Sequence, residues 1–418
     1  MKRFLIITLI VTSIIFLILD LSCTPKNGVS NYTPNEEILQ APEKTIGDFE
    51  NKANNFTEAN EKDEDNGIED LSLTAVPANP NDLAYIFPMG LMTNAHVTPV
   101  DHMYYYWEKK QAPLDTYQVY SPADGYITDI SYLENDYRVI IEHSRDVYSI
   151  FIHLEQLSGP IAEFNSKVTW GQSAHIRIPV KVGEIIALDG GTAGFDYSLH
   201  DKNVVLQGFI NPESYKAEPW KIHTVDPYDY FTEPARSSLL SKNIRQVTPL
   251  GGKIDYDVFG SLSGNWFVEN TNGYMGLVDT VTPIKPDQQK GYWNTHLALA
   301  PDPIDPTITI VSFGWFEGRC AQQAIRQPNP IPANVSVKTG LVRYELWNWQ
   351  YVHRDSEQPW AGLNRQMAKD IEVHFGHEMK GTVIFQMLDE THLKMEVFSG
   401  VAAKEVTGFT KNAVIYER

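Results

Sequence analysis

Apolar and polar positions alternate over short runs from about residue 82 onward, and clear turn signals separate the runs. The run Val147-Tyr-Ser-Ile-Phe-Ile-His153 is one of the cleanest. The pattern predicts strands over 117–120, 126–132, 138–143, 147–153 and 184–188. Ala123-Asp124-Gly125, Glu134-Asn135-Asp136 and Ser144-Arg145-Asp146 supply the turns between them. Gly190-Gly191 ends the 184–188 strand, and a further strand then delivers His200 next to Asp201. A strand ending in a turn is expected over 202–212, and the best helix is a short amphipathic one over 233–244.

A second β-rich region follows, with strands expected over 255–259, 264–269, 307–316, 341–352, 381–388 and 393–398. The segment 412–418 is placed to close a sheet. The fold class is therefore mainly β: an antiparallel sheet or sandwich over 82–245, then a β-barrel or β-sandwich over 246–418. Trp347 and Trp349 alternate and share one strand face, as core or as a ligand face. His374-Phe-Gly-His377-Glu378 matches no zinc spacing and reads as a solvated helix-end or loop cluster.

The first 81 residues follow neither pattern. Lys2 and Arg3 precede an apolar run over 4–19, and Ser22-Cys23 follows. A run of sixteen residues is short for a membrane span, which needs about 20. Residues 1–23 read as a secretory signal. Its end resembles a bacterial lipobox, although Asp20 departs from the usual aliphatic residue. That resemblance implies a lipidated Cys23 and a membrane anchor facing the periplasm or cell surface; an uncleaved signal anchor is the alternative. Cys320 then has no intrachain partner and should be a buried free thiol.

Residues 24–81 read as a disordered acidic spacer. Between Glu36 and Asp70, twelve acids stand against Lys44, Lys52 and Lys62, a net of −9. This is nearly half of the whole chain's −19. The acidic balance and the lack of a basic patch exclude nucleic acid as a partner.

Candidate chemistry lies in the first β region. His96, Asp101 and His102 fall within seven residues, His153 ends a strand, and His200 follows the Gly-rich loop. Three ligands from His, Asp or Glu, with an open position for water, suit catalytic zinc. His96, Asp101 and His200 are the candidate metal ligands, and His153 the candidate proton carrier.

The order of these pieces resembles the lysostaphin-type (LytM-like) zinc endopeptidase domain. The matching stretches are the early His–Asp pair, Ser121-Pro-Ala-Asp-Gly-Tyr-Ile127 and Arg138-Val-Ile-Ile-Glu-His143. Tyr148-Ser-Ile-Phe-Ile-His153-Leu154 and the stretch from Val180 to Thr192 complete the series. The resemblance spans about 110 residues. It implies a zinc-dependent action on peptidoglycan peptides and partners in the cell envelope.

Two departures bear on activity. The family spaces its His and Asp four apart, whereas His96 and Asp101 are five apart, so His102 is an alternative ligand. Ser198 stands where the family's assisting histidine is expected, and a different alignment shifts that pair onto Asp196 and drops His200. A catalytically inactive domain that binds cell-wall peptides or regulates a hydrolase is the second reading. In the C-terminal region, Gly264-Asn-Trp266 is similar to the Gly-x-Trp that begins lipocalin-type barrels.

Overall fold

The computed structural model describes residues 71–133, 136–277, 291–326, 328–355, 359 and 370–418. The signal, Cys23, the acidic stretch to Asp70 and Trp360 lie outside the described residues.

Alternation builds the first unit. Its strands are β1 (Leu83–Phe87), β2 (Met103–Trp107), β3 (Tyr117–Tyr120), β4 (Gly125–Leu133), β5 (Asp136–Glu142) and β6 (Val147–Leu154). They continue as β7 (Gln156–Leu157), β8 (Gln172–Val180), β9 (Ile185–Asp189), β10 (Gly194–Asp201) and β11 (Thr224–Val225). One antiparallel sheet runs β1-β2-β10-β6-β5-β4-β8, with β11 also on β10. A smaller sheet runs β3-β9-β7. On β5, Tyr137, Val139 and Ile141 point inward and the residues between them are half-buried. They meet Phe151, Val119 and Ile186 in one core. Trp107 closes it, stacked on Tyr117 at 4.5 Å with its indole N–H on the Asp189 carboxylate at 2.8 Å.

The expected strands of the first unit are present, with two differences around them. The stretch between 159 and 178, for which no strand is expected, includes most of β8, which pairs along β4 as an edge strand. The span 202–212 is not a strand. There the Asp255 carboxylate accepts Gly208 N and the Asp257 carboxylate accepts Ile210 N and Asn265 N. These side-chain bonds replace a ladder, which also explains why 255–259 forms no strand. The folded unit begins earlier than 82. Leu73 is fully buried, with its N–H on Tyr230 O at 2.9 Å. The helix is confined to α1 (Ala235–Leu240).

The second unit is a closed barrel. Its strands are β12 (Gly264–Val268), β13 (His296–Pro301), β14 (Thr309–Phe316) and β15 (Arg319–Ile325). They continue through β16 (Val342–His353), β17 (Ile371–Met387), β18 (His392–Ser399) and β19 (Val414–Glu417). Each pairs with the next, and β19 pairs with β12 to close the ring. The segment expected to close a sheet does so. The stretch around His374 and His377 lies inside β17, where pairing with Trp349 and Gln350 on β16 extends the ladder.

Trp266 is fully buried at the start of the barrel, and the Arg418 guanidinium lies 3.9 Å above its ring. Arg418 also donates to the carbonyls of Val258, Ser261 and Ser263. Cys320 is a free, half-buried thiol whose pKa burial raises.

The two units pack together. Tyr85, Phe87 and Ile244 share a cluster with Tyr351, Ile371 and Val373 of the barrel. Asn94 and Gln322 exchange two hydrogen bonds of 3.1 Å across the same boundary.

Candidate functional site

Strand β10, Gly-Phe-Asp-Tyr-Ser-Leu-His-Asp, is buried on both faces. Phe195, Tyr197 and Leu199 enter the core. The period of two then puts Asp196, Ser198 and His200 in a polar row on the opposite face. Asp196 lies in register between Tyr104 on β2 and Ile152 on β6. The 3-10 segment Pro219–His223 lies over the His200 end of the row.

His153 reaches this row through a β-bulge. Tyr137 pairs with Leu154 and Val139 with Phe151, so two steps along β5 face three along β6. The extra residue lets both Phe151 and Leu154 enter the core. Strict alternation would send His153 inward with Phe151. Instead its backbone adopts φ +66°, the left-handed region that few non-glycine residues occupy. The side chain, 41% exposed, turns to the polar face. Its Nδ1 lies 2.6 Å from Asp136 Oδ2 and its Nε2 3.4 Å from Asp196 Oδ2.

His102 approaches Asp196 from the other side. Its Nε2 is 3.3 Å from the same Oδ2, and its Nδ1 is 3.2 Å from Asp101 Oδ1. The Tyr104 ring meets His102 edge-on at 4.9 Å, and the His96 ring does so at 5.6 Å. The result is a chain of alternating carboxylates and imidazoles: Asp101, His102, Asp196, His153, Asp136.

Asp101 carries a second set of partners. Lys221 Nζ lies 3.1 Å from its Oδ1, and the Trp220 indole N–H donates to its Oδ2 at 3.0 Å. Burial by itself raises the Asp101 pKa, but Lys221 and His102 outweigh it and hold the carboxyl well below its ordinary value. Burial likewise disfavours the Lys221 ammonium, and Asp101 with Glu218 reverses the effect, raising that pKa. Lys221 and Asp101 therefore form a fully charged buried pair, extended by Glu218 at 3.0 Å.

His200 is committed on both nitrogens. Its Nδ1 lies 3.0 Å from the Trp220 carbonyl, which can only accept, so Nδ1 carries the hydrogen. Its Nε2 then accepts from the Ser198 hydroxyl at 2.8 Å. The ring stacks on Tyr148 at 5.1 Å, and burial lowers its pKa to about 4. His96 sits on a tight turn closed by two backbone bonds with Thr93. Its pKa falls to about 3, through burial first and then the charges of His102 and Lys221.

The structure thus brings Asp101, His102 and His153 to one chain of contacts through Asp196. It does not gather His96, Asp101 and His200 into a ligand set. Zinc needs an imidazole lone pair directed at the ion, and the Nε2 of His200 is spent on Ser198. The implied set also calls on the Asp101 carboxylate, which already faces an ammonium. Those three residues do not fit the metal. Among the described residues no group of three or more His, Cys, Asp or Glu side chains is drawn round one point as a metal site.

Asp196 was visible in sequence as the alternative alignment, and alternation from His200 back along β10 picks it out. Lys221, Trp220 and Asp136 carried no such signal, because loop packing and the bulge bring them in. The remaining histidines are structural or exposed. His143 is buried between Asp124 O and Ser149 Oγ, and His175 is exposed beside Asp129. Asp226 binds the backbone N–H groups of Tyr228 and Gly251, a packed closure of the unit. No family model matches the chain, and no curated protein does.

Proposed function

We propose that this chain is an exported lipoprotein, anchored through Cys23, whose first β unit binds cell-wall peptides without cleaving them. The C-terminal barrel is then its accessory ligand-binding module. The observation that carries this reading is the Lys221–Asp101 pair, together with Ser198 on the Nε2 of His200. An ammonium occupies the charge position that a metal ion would need in the implied ligand set, and the assisting histidine is replaced by a hydroxyl. The partially exposed His153, flanked by Asp136 and Asp196, is the polar end of the face that would meet the peptide.

One observation favours the enzyme reading. A non-glycine residue held at positive φ to re-aim a histidine is a costly arrangement of the kind found at reacting centres. In that reading the domain is a zinc endopeptidase of the lysostaphin type. Cosedimentation of the full-length chain with purified peptidoglycan, with and without added zinc, separates the two. Binding that His153→Ala weakens, with no soluble fragments released in zinc, is expected. Zinc-dependent release of muropeptides would establish the peptidase instead, and no binding at all would remove both readings.

A further inference from the structure

Strand β5 carries a cation that no carboxylate among the described residues pairs with. Tyr137 and Val139 enter the core, so alternation puts Asp136 and Arg138 on the opposite face, the one to which His153 turns. Arg138 is in register with Ser131 on β4. On its other side it stands opposite the bulge, because Tyr137 pairs with Leu154 and Val139 with Phe151. His153 is therefore its neighbour on the next strand, with about 5 Å between the two backbones. Arg138 is half-buried, and its Nε is buried without a hydrogen-bond partner.

A buried donor on a charged group is costly to leave unmatched. The acids nearby are committed elsewhere. Asp136 lies 2.6 Å from His153 Nδ1. Asp129 accepts from Ser131 Oγ at 2.8 Å and lies 2.9 Å from His175 Nδ1. Burial raises the Asp129 pKa; Ser131 and His175 oppose the rise, and Arg138 adds to them through space. Acidic residues outnumber Lys and Arg by 53 to 34 in this chain, and still none of the described ones neutralises Arg138. A guanidinium held on an open sheet face, with no acid on it, is placed for an anion from outside.

We propose that Arg138 is a carboxylate-binding site that receives the free C-terminal carboxylate of the peptide bound on this face. A guanidinium offers its N–H groups as a planar fork, which matches the two oxygens of a carboxylate. Strands β5, β6 and β10 are consecutive in the sheet and about 4.8 Å apart. A peptide whose end is held at Arg138 therefore passes His153 within about 5 Å and the strand of Asp196 within about 10 Å, a reach of two to three extended residues. The His153–Asp136 contact stays as it stands. The assignment rests on the peptide reading of the same face, and it adds that peptide ends are selected over chain interiors.

The test is calorimetric binding of a synthetic cell-wall stem peptide to the full-length chain, beside the same peptide amidated at its C terminus. The parent chain is expected to bind the free acid about 10–100-fold more tightly than the amide. Arg138→Gln should erase that difference, bringing the free acid down to the amide and leaving the affinity for the amide unchanged. Arg138→Lys, which keeps the charge and loses the fork, should recover only part of it. Equal affinity for the two peptides in the parent chain overturns the assignment while the peptide reading stands, and this arm needs no variant to fold. A preference for the free acid that survives in Arg138→Gln overturns it as well. Binding of neither peptide removes the peptide reading and the carboxylate site together.

Discussion

Four imidazoles are kept uncharged by their surroundings. Burial takes His143 and His200 to about 4, and His96 and His296 to about 3. Unfolded, each titrates near 6.5. Above that pH both states are neutral and the groups are silent. As pH falls from 6.5 toward 4, the unfolded chain gains protons that the folded one refuses, so stability is lost across this window. The loss is on the order of 3 kcal/mol by pH 4 for His143 or His200 alone. Urea midpoints measured from pH 7.5 to 4 should therefore fall steeply below 6.5, and less steeply in His143→Gln. A flat profile would contradict the burial of these rings. At this scale the sequence revealed which residues could carry chemistry but not how they were spent. The pairs Ser198–His200 and Lys221–Asp101 depend on loops that cross the sheet, and spacing along the chain does not encode them.

At the scale of elements, β10 and β6 define the site. Strands with one solvated face, such as β5, were legible because their alternation is clean. Strands without polar positions, such as β2 with its run Met-Tyr-Tyr-Tyr-Trp, give no sequence period even where burial alternates, and went unread. The same holds for β13, whose residues are almost all buried. Alternation cannot announce its own interruption, so the bulge at His153 was hidden even though the strand around it was found. The bulge makes a specific prediction. Glycine adopts φ +66° freely, whereas a β-branched residue is strained there. His153→Gly should leave the unfolding free energy nearly unchanged, while His153→Val should lower it by roughly 1–3 kcal/mol. Equal effects in urea denaturation would mean that the backbone at this position is not held in the left-handed region.

For the whole molecule, the two β units are continuous in packing. Phe267, Tyr274 and Trp293, from the chain after Gly264, belong to the same core as Phe151 and Leu199. The first unit's core therefore runs past 245 as far as Trp293, while the barrel keeps a second core around Trp266, Phe313 and Phe385, an overlap that composition along the chain does not disclose. A single calorimetric unfolding transition is expected for the full chain. Arg418→Ala, which strips the cover from Trp266 and three carbonyl partners, should lower its midpoint, by about 3 kcal/mol of stability, without splitting it. Two separate transitions would show that the units fold apart. The closure of the barrel also sets a schedule. Asn270 hydrogen-bonds Glu417 across 147 residues, and β12 finds its second neighbour only when β19 arrives. A chain that emerges from its amino end must hold β12 and β18 as unpaired edges until that moment. For the interval of its own synthesis, the half-made barrel is an adhesive surface, and its solubility depends on how quickly Val414–Glu417 follows.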